Sequence, residues 1–261
     1  MKNPNGYILW EGISEIDGHT PIVVIATGFK TPTSNPKTGD MIQTWIICRD
    51  THPTEAINGG EDKGICGECP HRKIDGKRSC YVNQMSIGAV YKAYKKGNYS
   101  TDVLQFNSRI ADLFRGRRVR IGTYGDPLAV PTILWWLVTQ YTSGHTGYTH
   151  QWRKEYPTNW QKIKYQNFCM ASVDSEEERL EAEALGWRTF RVLTPDESPS
   201  EKEIRCPNEV DKLIKCDRCN LCQGTSVGDH VRSIAITVHG VGAKYFRIGE
   251  SPKVQCQEII G

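Results

Sequence analysis

The run CDRCNLC sets thiols at Cys216, Cys219 and Cys222, and with Cys206 upstream the pattern is Cys206-x9-Cys216-x2-Cys219-x2-Cys222. Four thiolates in one short stretch can close a tetrahedral zinc site or carry an iron–sulfur cluster. The neighbours Lys215, Asp217, Arg218 and Asn220 are polar, which argues against inert buried cysteines. A second run, CGECPHRK, begins the pattern Cys66-x2-Cys69-x10-Cys80. Its fourth ligand is His71, Cys48 or a group that is not protein, and an open position is what a catalytic metal or a substrate-binding cluster requires. Two separate metal sites are therefore expected, holding zinc or, alternatively, an iron–sulfur cluster. Cys169 and Cys256 read as packing residues.

Another set of reactive residues lies just past segments that read as strands. These are Tyr124-Gly125-Asp126-Pro127, Thr149-His150-Gln151-Trp152, Ser172-Val173-Asp174-Ser175 and His239-Gly240. Two carboxylates, two imidazoles, an amide and aromatic rings suit a planar heterocycle and acid–base or nucleophilic chemistry on it. Helix capping is the competing reading for Asp174, which precedes Ser-Glu-Glu-Glu, and for Asp126, which precedes Pro127. Arg115, Arg117, Arg118 and Arg120, near Arg109 and downstream of Lys92, Lys95 and Lys96 with Tyr91, Tyr94 and Tyr99 interleaved, read as a phosphate-contacting patch or as a solvated helix face.

The elements that must position these groups follow from pattern. YILWEG, PIVVIATGF and MIQTWIICRD are β-branched and aromatic, with turns at Asp17-Gly18 and Thr38-Gly39-Asp40. Helices are predicted over SIGAVYKAYKKG and DVLQFNSRIADLFRG, each stopped by glycine. Thereafter strand and helix alternate: RVRIGTYGDP, VPTILWWLVTQYTSG, GYTHQW, YPTNWQKIKYQ, NFCMASVD, SEEERLEAEALG, WRTFRVL and, past the second thiol group, SIAITVHG. That alternation predicts βα units on a parallel sheet, and no Gly-rich phosphate fingerprint follows any strand. The expected class is α/β, a (β/α) barrel, incomplete or decorated, in which polar residues beyond the strand ends line the site. The chain reads as one domain over 1–261. It comprises a β-rich part at 1–50, a cysteine-containing loop at 51–82 and a barrel-like core at 86–240 carrying the metal loop 206–222.

Bulk properties narrow the class. A chain of 261 residues with 38% hydrophobic and 24% charged residues is globular in composition. No stretch approaches the roughly 20 apolar residues of a membrane span, and MKNPNGYILWEG is interrupted by Pro4 and Gly6, unlike a signal peptide. A cytoplasmic location is expected, in which ten cysteines favour metal over disulfides. A net charge of +3 permits nucleic-acid binding without requiring it.

A barrel with strand-end aspartates and a C-terminal cysteine group resembles the tRNA-guanine transglycosylases, above all the bacteriophage relatives that insert 7-deazaguanines into DNA. The likeness covers roughly residues 105 to 240. The family's zinc pattern is C-x-C-x2-C with a distant His, whereas this chain has C-x9-C-x2-C-x2-C. The resemblance implies a base-exchange enzyme on nucleic acid, most simply DNA, taking a small 7-deazaguanine base, in the host cytoplasm if phage-encoded. Asp126 would be the nucleophile forming a covalent sugar intermediate and Asp174 the acid/base. Tyr124, Tyr148, His150, Gln151 and His239 would frame a base taken out of the stack. The chain is similar also to the radical S-adenosylmethionine enzymes, partial barrels with a three-cysteine cluster and often an auxiliary one. Their usual C-x3-C-x2-C is replaced here by Cys66-x2-Cys69-x10-Cys80. A third class is a metal-stapled nucleic-acid-binding protein without catalysis.

Overall fold

Runs such as PIVVIAT and IQTWIIC place large apolar side chains at nearly every position, and only a strand covered on both faces accommodates that. The computed structural model describes residues 4–33, 35–101, 108–154, 164–228, 230–240 and 242–246, with backbone alone for 108–110. Strand β1 (Gly6–Ile13) pairs antiparallel with β2 (Pro21–Thr27), and β2 antiparallel with β3 (Ile42–Cys48). Both β2 and β3 are buried along nearly their whole length, whereas the second half of β1 alternates towards solvent, as befits an edge.

Helices α1 (Pro53–Gly59), α2 (Lys63–Cys66), α3 (Gln84–Lys95) and α4 (Ser108–Phe114) then lead to β4 (Arg118–Tyr124), which lies parallel to β3. Helix α5 (Thr132–Thr139) returns the chain to β5 (Gly144–Thr146), parallel to β4. After Gly147 comes β6 (Tyr148–Thr149), then β7 (Met170–Val173), α6 (Glu176–Ala184), β8 (Thr189–Leu193), β9 (Glu203–Arg205), α7 (Pro207–Val210), α8 (Cys216–Cys219) and β10 (Ser233–Thr237). Two five-stranded sheets result, ordered β1-β2-β3-β4-β5 and β6-β7-β8-β10-β9. The first is mixed and the second wholly parallel. No closed ring of strands is traced among the described residues.

Only Gly147 separates β5 from β6, so one extended stretch pairs first with β4 and then with β7. A Cβ at Gly147 would stand 2.7 Å from the Phe168 carbonyl oxygen and 2.8 Å from Cys169 Sγ, and that crowding explains the glycine. The main core contains Leu9, Ile22, Ile25, Ile42, Ile46, Ile47, Phe114 and Trp135, all fully buried, each stabilising the fold by roughly 1.5–3 kcal/mol. Beside the second sheet, Arg191 makes a two-pronged contact with the buried Glu203, at 3.0 and 2.6 Å.

Apart from the segment 156–166, the strands and helices expected from residue 118 onward match in type and order. Helix α6 begins at the Ser175 cap, carries three glutamates in its first turn and stops before Gly186 at φ +81°. Three features differ. The 51–82 loop contains α1 and α2, β3 joins the first sheet as a parallel partner of β4, and β5 and β9 are additional strands. Of the helix expected over 156–166, residues 156–163 lie outside the described residues, and 165–167 form a 3-10 turn. Residues 102–107 of another expected helix and Cys256 also lie outside them.

Candidate functional site

The x10 gap between Cys69 and Cys80 is closed by a hairpin. Asp75 (φ 49°) and Gly76 (φ 76°) make the tight turn, Ile74 and Lys77 bridge across it, and the Cys80 N–H donates to the His71 carbonyl at 2.9 Å. The Asp-Gly dipeptide was the signal in the sequence that could have found this turn. Upstream, the Cys69 N–H donates to the Cys66 carbonyl at 3.2 Å, so the three thiols share one compact loop. The loop is fastened from within by a buried pair, with Arg72 Nη2 2.6 Å from Asp62 Oδ1.

Two strand ends hold this loop in place. The Asp126 N–H donates to the Ile65 carbonyl at 2.6 Å, tying α2 to the end of β4. Gln151, just past β6, donates through Nε2 to the Cys66 carbonyl at 3.1 Å and accepts from the Glu68 N–H at 3.4 Å. Gly67 has φ +55° there, and a Cβ would stand 2.3 Å from Gln151 Oε1, so both backbone and space require glycine.

The Asp126 carboxylate accepts three hydrogen bonds. Oδ1 accepts from the Leu128 N–H at 3.0 Å and the Thr149 hydroxyl at 2.7 Å, and Oδ2 accepts from the His150 N–H at 2.9 Å. It caps the turn Pro127–Ala129 and ties the end of β4 to that of β6. Burial pushes this carboxyl up to about 6, against the pull of those hydrogen bonds. Such a carboxylate fastens the two strand ends together, whatever further role it has.

Asp174 has the opposite assignment. The cap of α6 is Ser175, whose hydroxyl accepts from the Glu178 N–H at 3.1 Å, so the buried Asp174 carboxylate is not needed for capping. Its Oδ1 lies 3.3 Å from His71 Nε2 without the alignment of a hydrogen bond. Burial would raise the Asp174 carboxyl, but His71 and then His150 more than offset this and hold it below the usual range. The His150 ring stands edge-to-face with that of His71 at 5.1 Å, and its buried Nε2 has no hydrogen-bond partner. Burial, and then the His71 charge, push the His150 imidazole down to about 4.

Burial raises the Cys66 and Cys69 thiols well above their ordinary range. Cys69, Asp62 and Cys80 add to this at Cys66, and Cys80 and Asp174 add to it at Cys69. Tyr124 is buried nearby with an unpartnered hydroxyl, raised by burial and then by Cys66. A cleft of about 1300 Å³ opens beside the loop, with Gly67, Glu68, His150, Gln151, Ser172 and Ser175 on its walls.

The second thiol group lies against the second sheet, near Tyr148, Phe190 and Ile234. Burial pushes Cys222 up to about 12, with Cys206, Cys216 and Cys219 contributing, and Cys216 and Cys219 are also raised by burial first. Tyr148 belongs here and not beside His150. Its ring packs 4.4 Å from that of Phe190, and its hydroxyl bonds Cys222. His239 is exposed and stacks on Tyr81, next to Cys80, at 5.8 Å.

The four arginines do not form one basic surface. Arg115 is exposed and Arg117 is held by the Gly28 carbonyl and Asp40. Arg118 bonds Asn220, and Arg120 is buried against the Tyr81 hydroxyl. Of the four, only Arg118 and Arg120 belong to β4, and each arginine that is held goes to a different partner, so the run does not remain one patch. The side chain of Arg109 lies outside the described residues.

Among the described residues, His71, His150 and Asp174 are the group whose three ligand atoms all lie within 4.8 Å of one another; neither set of thiols is so tightly gathered. No family model, curated protein or solved structure matches the chain.

Proposed function

We propose that the chain is an iron–sulfur enzyme on an incomplete (β/α) barrel, akin in plan to the radical S-adenosylmethionine enzymes, with Cys66, Cys69 and Cys80 as the ligands of the working cluster. One observation carries the reading. In chain order β3, β4, the β5–β6 stretch, β7, β8 and β10 make a parallel series, and the three thiols occupy the loop after its first member. That loop is pinned to the far ends of β4 and β6, where such folds carry their chemistry.

The donor set fits the group. Burial first, and then neighbouring thiols, raise Cys66 and Cys69, so a compensating cation is what would draw off their protons. Three thiols in one loop suit thiolates of a cluster. A cluster held by three thiolates, with a fourth position open, supplies one-electron chemistry to a molecule bound there.

The remaining roles belong to the protein itself. Asp126 and Gln151 hold the thiol loop against the strand ends, and the cleft admits a small substrate to His150 and Gln151. The unpartnered Tyr124 hydroxyl is a candidate proton donor beside the thiol loop. Cys206, Cys216, Cys219 and Cys222 would hold an auxiliary cluster or a zinc. The transglycosylase reading has less support, because Asp126 is buried and tied to two strand ends and the arginines are dispersed.

Anaerobic reconstitution with iron and sulfide tests the reading. A brown protein is expected, with S-adenosylmethionine binding by equilibrium dialysis. Cys66→Ser, Cys69→Ser and Cys80→Ser should each abolish that binding, while Cys216→Ser/Cys219→Ser should remove only metal at the second group. A colourless protein holding zinc alone would overturn it and favour base exchange, to be assayed with labelled guanine in DNA.

A further inference from the structure

Three side chains from three separate places in the sequence point their ligand atoms at one another: His71 from the thiol loop, His150 beyond β6 and Asp174 beyond β7. We infer that Nε2 of His71, an imidazole nitrogen of His150 and Oδ1 of Asp174 form a mononuclear site for a divalent first-row metal ion, distinct from the thiol groups. The site has two imidazoles and one carboxylate on one side of the ion, leaving positions for water or an oxygen ligand.

The geometry distinguishes this arrangement from a simple ion pair. Two atoms bound about 2.1 Å from a common ion stand about 3.0–3.4 Å apart, and His71 Nε2 and Asp174 Oδ1 are 3.3 Å apart. That approach lacks hydrogen-bond alignment, so Oδ1 remains a buried acceptor without a partner in a residue only 5% exposed. The buried Nε2 of His150 is equally unpartnered. Buried polar atoms rarely stay unsatisfied, and two that converge with a third indicate a ligand. The far side of His71 is also arranged for metal binding, because its Nδ1 lies 2.8 Å from the Ser79 hydroxyl, which fixes the ring with Nε2 facing Asp174.

The site needs neither cluster nor S-adenosylmethionine, so its test is independent of the functional reading above. Mn2+ is the probe, since it prefers nitrogen and oxygen ligands and avoids thiolates. In a titration of the full chain followed by the EPR signal of free Mn2+, one ion per chain is expected to bind. His150→Ala and Asp174→Asn should each abolish that binding, Cys66→Ser should leave it intact, and Ser79→Ala should weaken it about 10–100-fold. Asp174→Asn keeps the size of the side chain and the Ser175 cap, so it decides the matter if His150→Ala melts early. Absence of stoichiometric Mn2+ in the parent chain, Mn2+ binding unchanged in folded Asp174→Asn, or its loss in Cys66→Ser overturns the inference.

Discussion

The contact between Gly67 and Gln151 can be tested as a double-mutant cycle. Gly67 has φ +55° and ψ −131°, a region that other residues adopt at a cost of about 1–3 kcal/mol. An alanine Cβ there would stand 2.3 Å from Gln151 Oε1, the end of a flexible side chain that can swing away. Swinging away breaks its bonds to the Cys66 carbonyl and the Glu68 N–H, worth about 1–2 kcal/mol together because one is long. Gly67→Ala should therefore cost about 2–5 kcal/mol and Gln151→Ala about 1–2 kcal/mol. In the double variant the same bonds cannot be lost twice, so its total should match Gly67→Ala alone, a coupling of about 1–2 kcal/mol. Urea denaturation at neutral pH measures all four corners, with iron retained after reconstitution as a second readout. Simple additivity of the two single costs would show that Gln151 does not fasten the thiol loop, and the reasoning about how that loop is held would fail.

Two further substitutions test the groups around the strand ends. Asp126→Ala strands the Thr149 hydroxyl and the N–H groups of Leu128 and His150, so a loss of about 3–5 kcal/mol is expected by urea denaturation. Parental stability with lost activity would instead restore Asp126 as a nucleophile. His145 is 6% exposed, and burial holds its imidazole down to about 4, below the ordinary 6.5. A depressed imidazole contributes stability above the unfolded value and loses it as pH falls from about 6.5 towards 4, by up to about 3 kcal/mol. His145→Gln should therefore flatten the acid limb of stability against pH by one proton, and an unchanged slope between pH 7 and 5 would refute the burial argument.

Much of this protein was legible in its sequence because the relevant forces are local. β-branched runs, glycine stops and the Ser175 cap act within a turn or two of chain, so β2, β3, α6 and the order of elements beyond residue 118 could be read without coordinates. The two thiol groups were equally plain, since their spacing is itself a chemical statement. What the spacing did not reveal was partnership. Whether Asp126 or Asp174 kept a free carboxylate depended on whether the serine after Asp174 took the cap and on which donors the end of β6 brought to Asp126. The clustered arginines read equally as a patch or as a solvated helix face, and neither reading could see that Arg117 would turn to Asp40, Arg118 to Asn220 and a buried Arg120 to Tyr81. His71 meets His150 and Asp174 only because six parallel strands end on one side and the thiol loop folds over those ends. Sequence patterns report forces that act over a few residues, whereas these contacts join positions about 80 and 100 apart, and only the packed sheets bring them together.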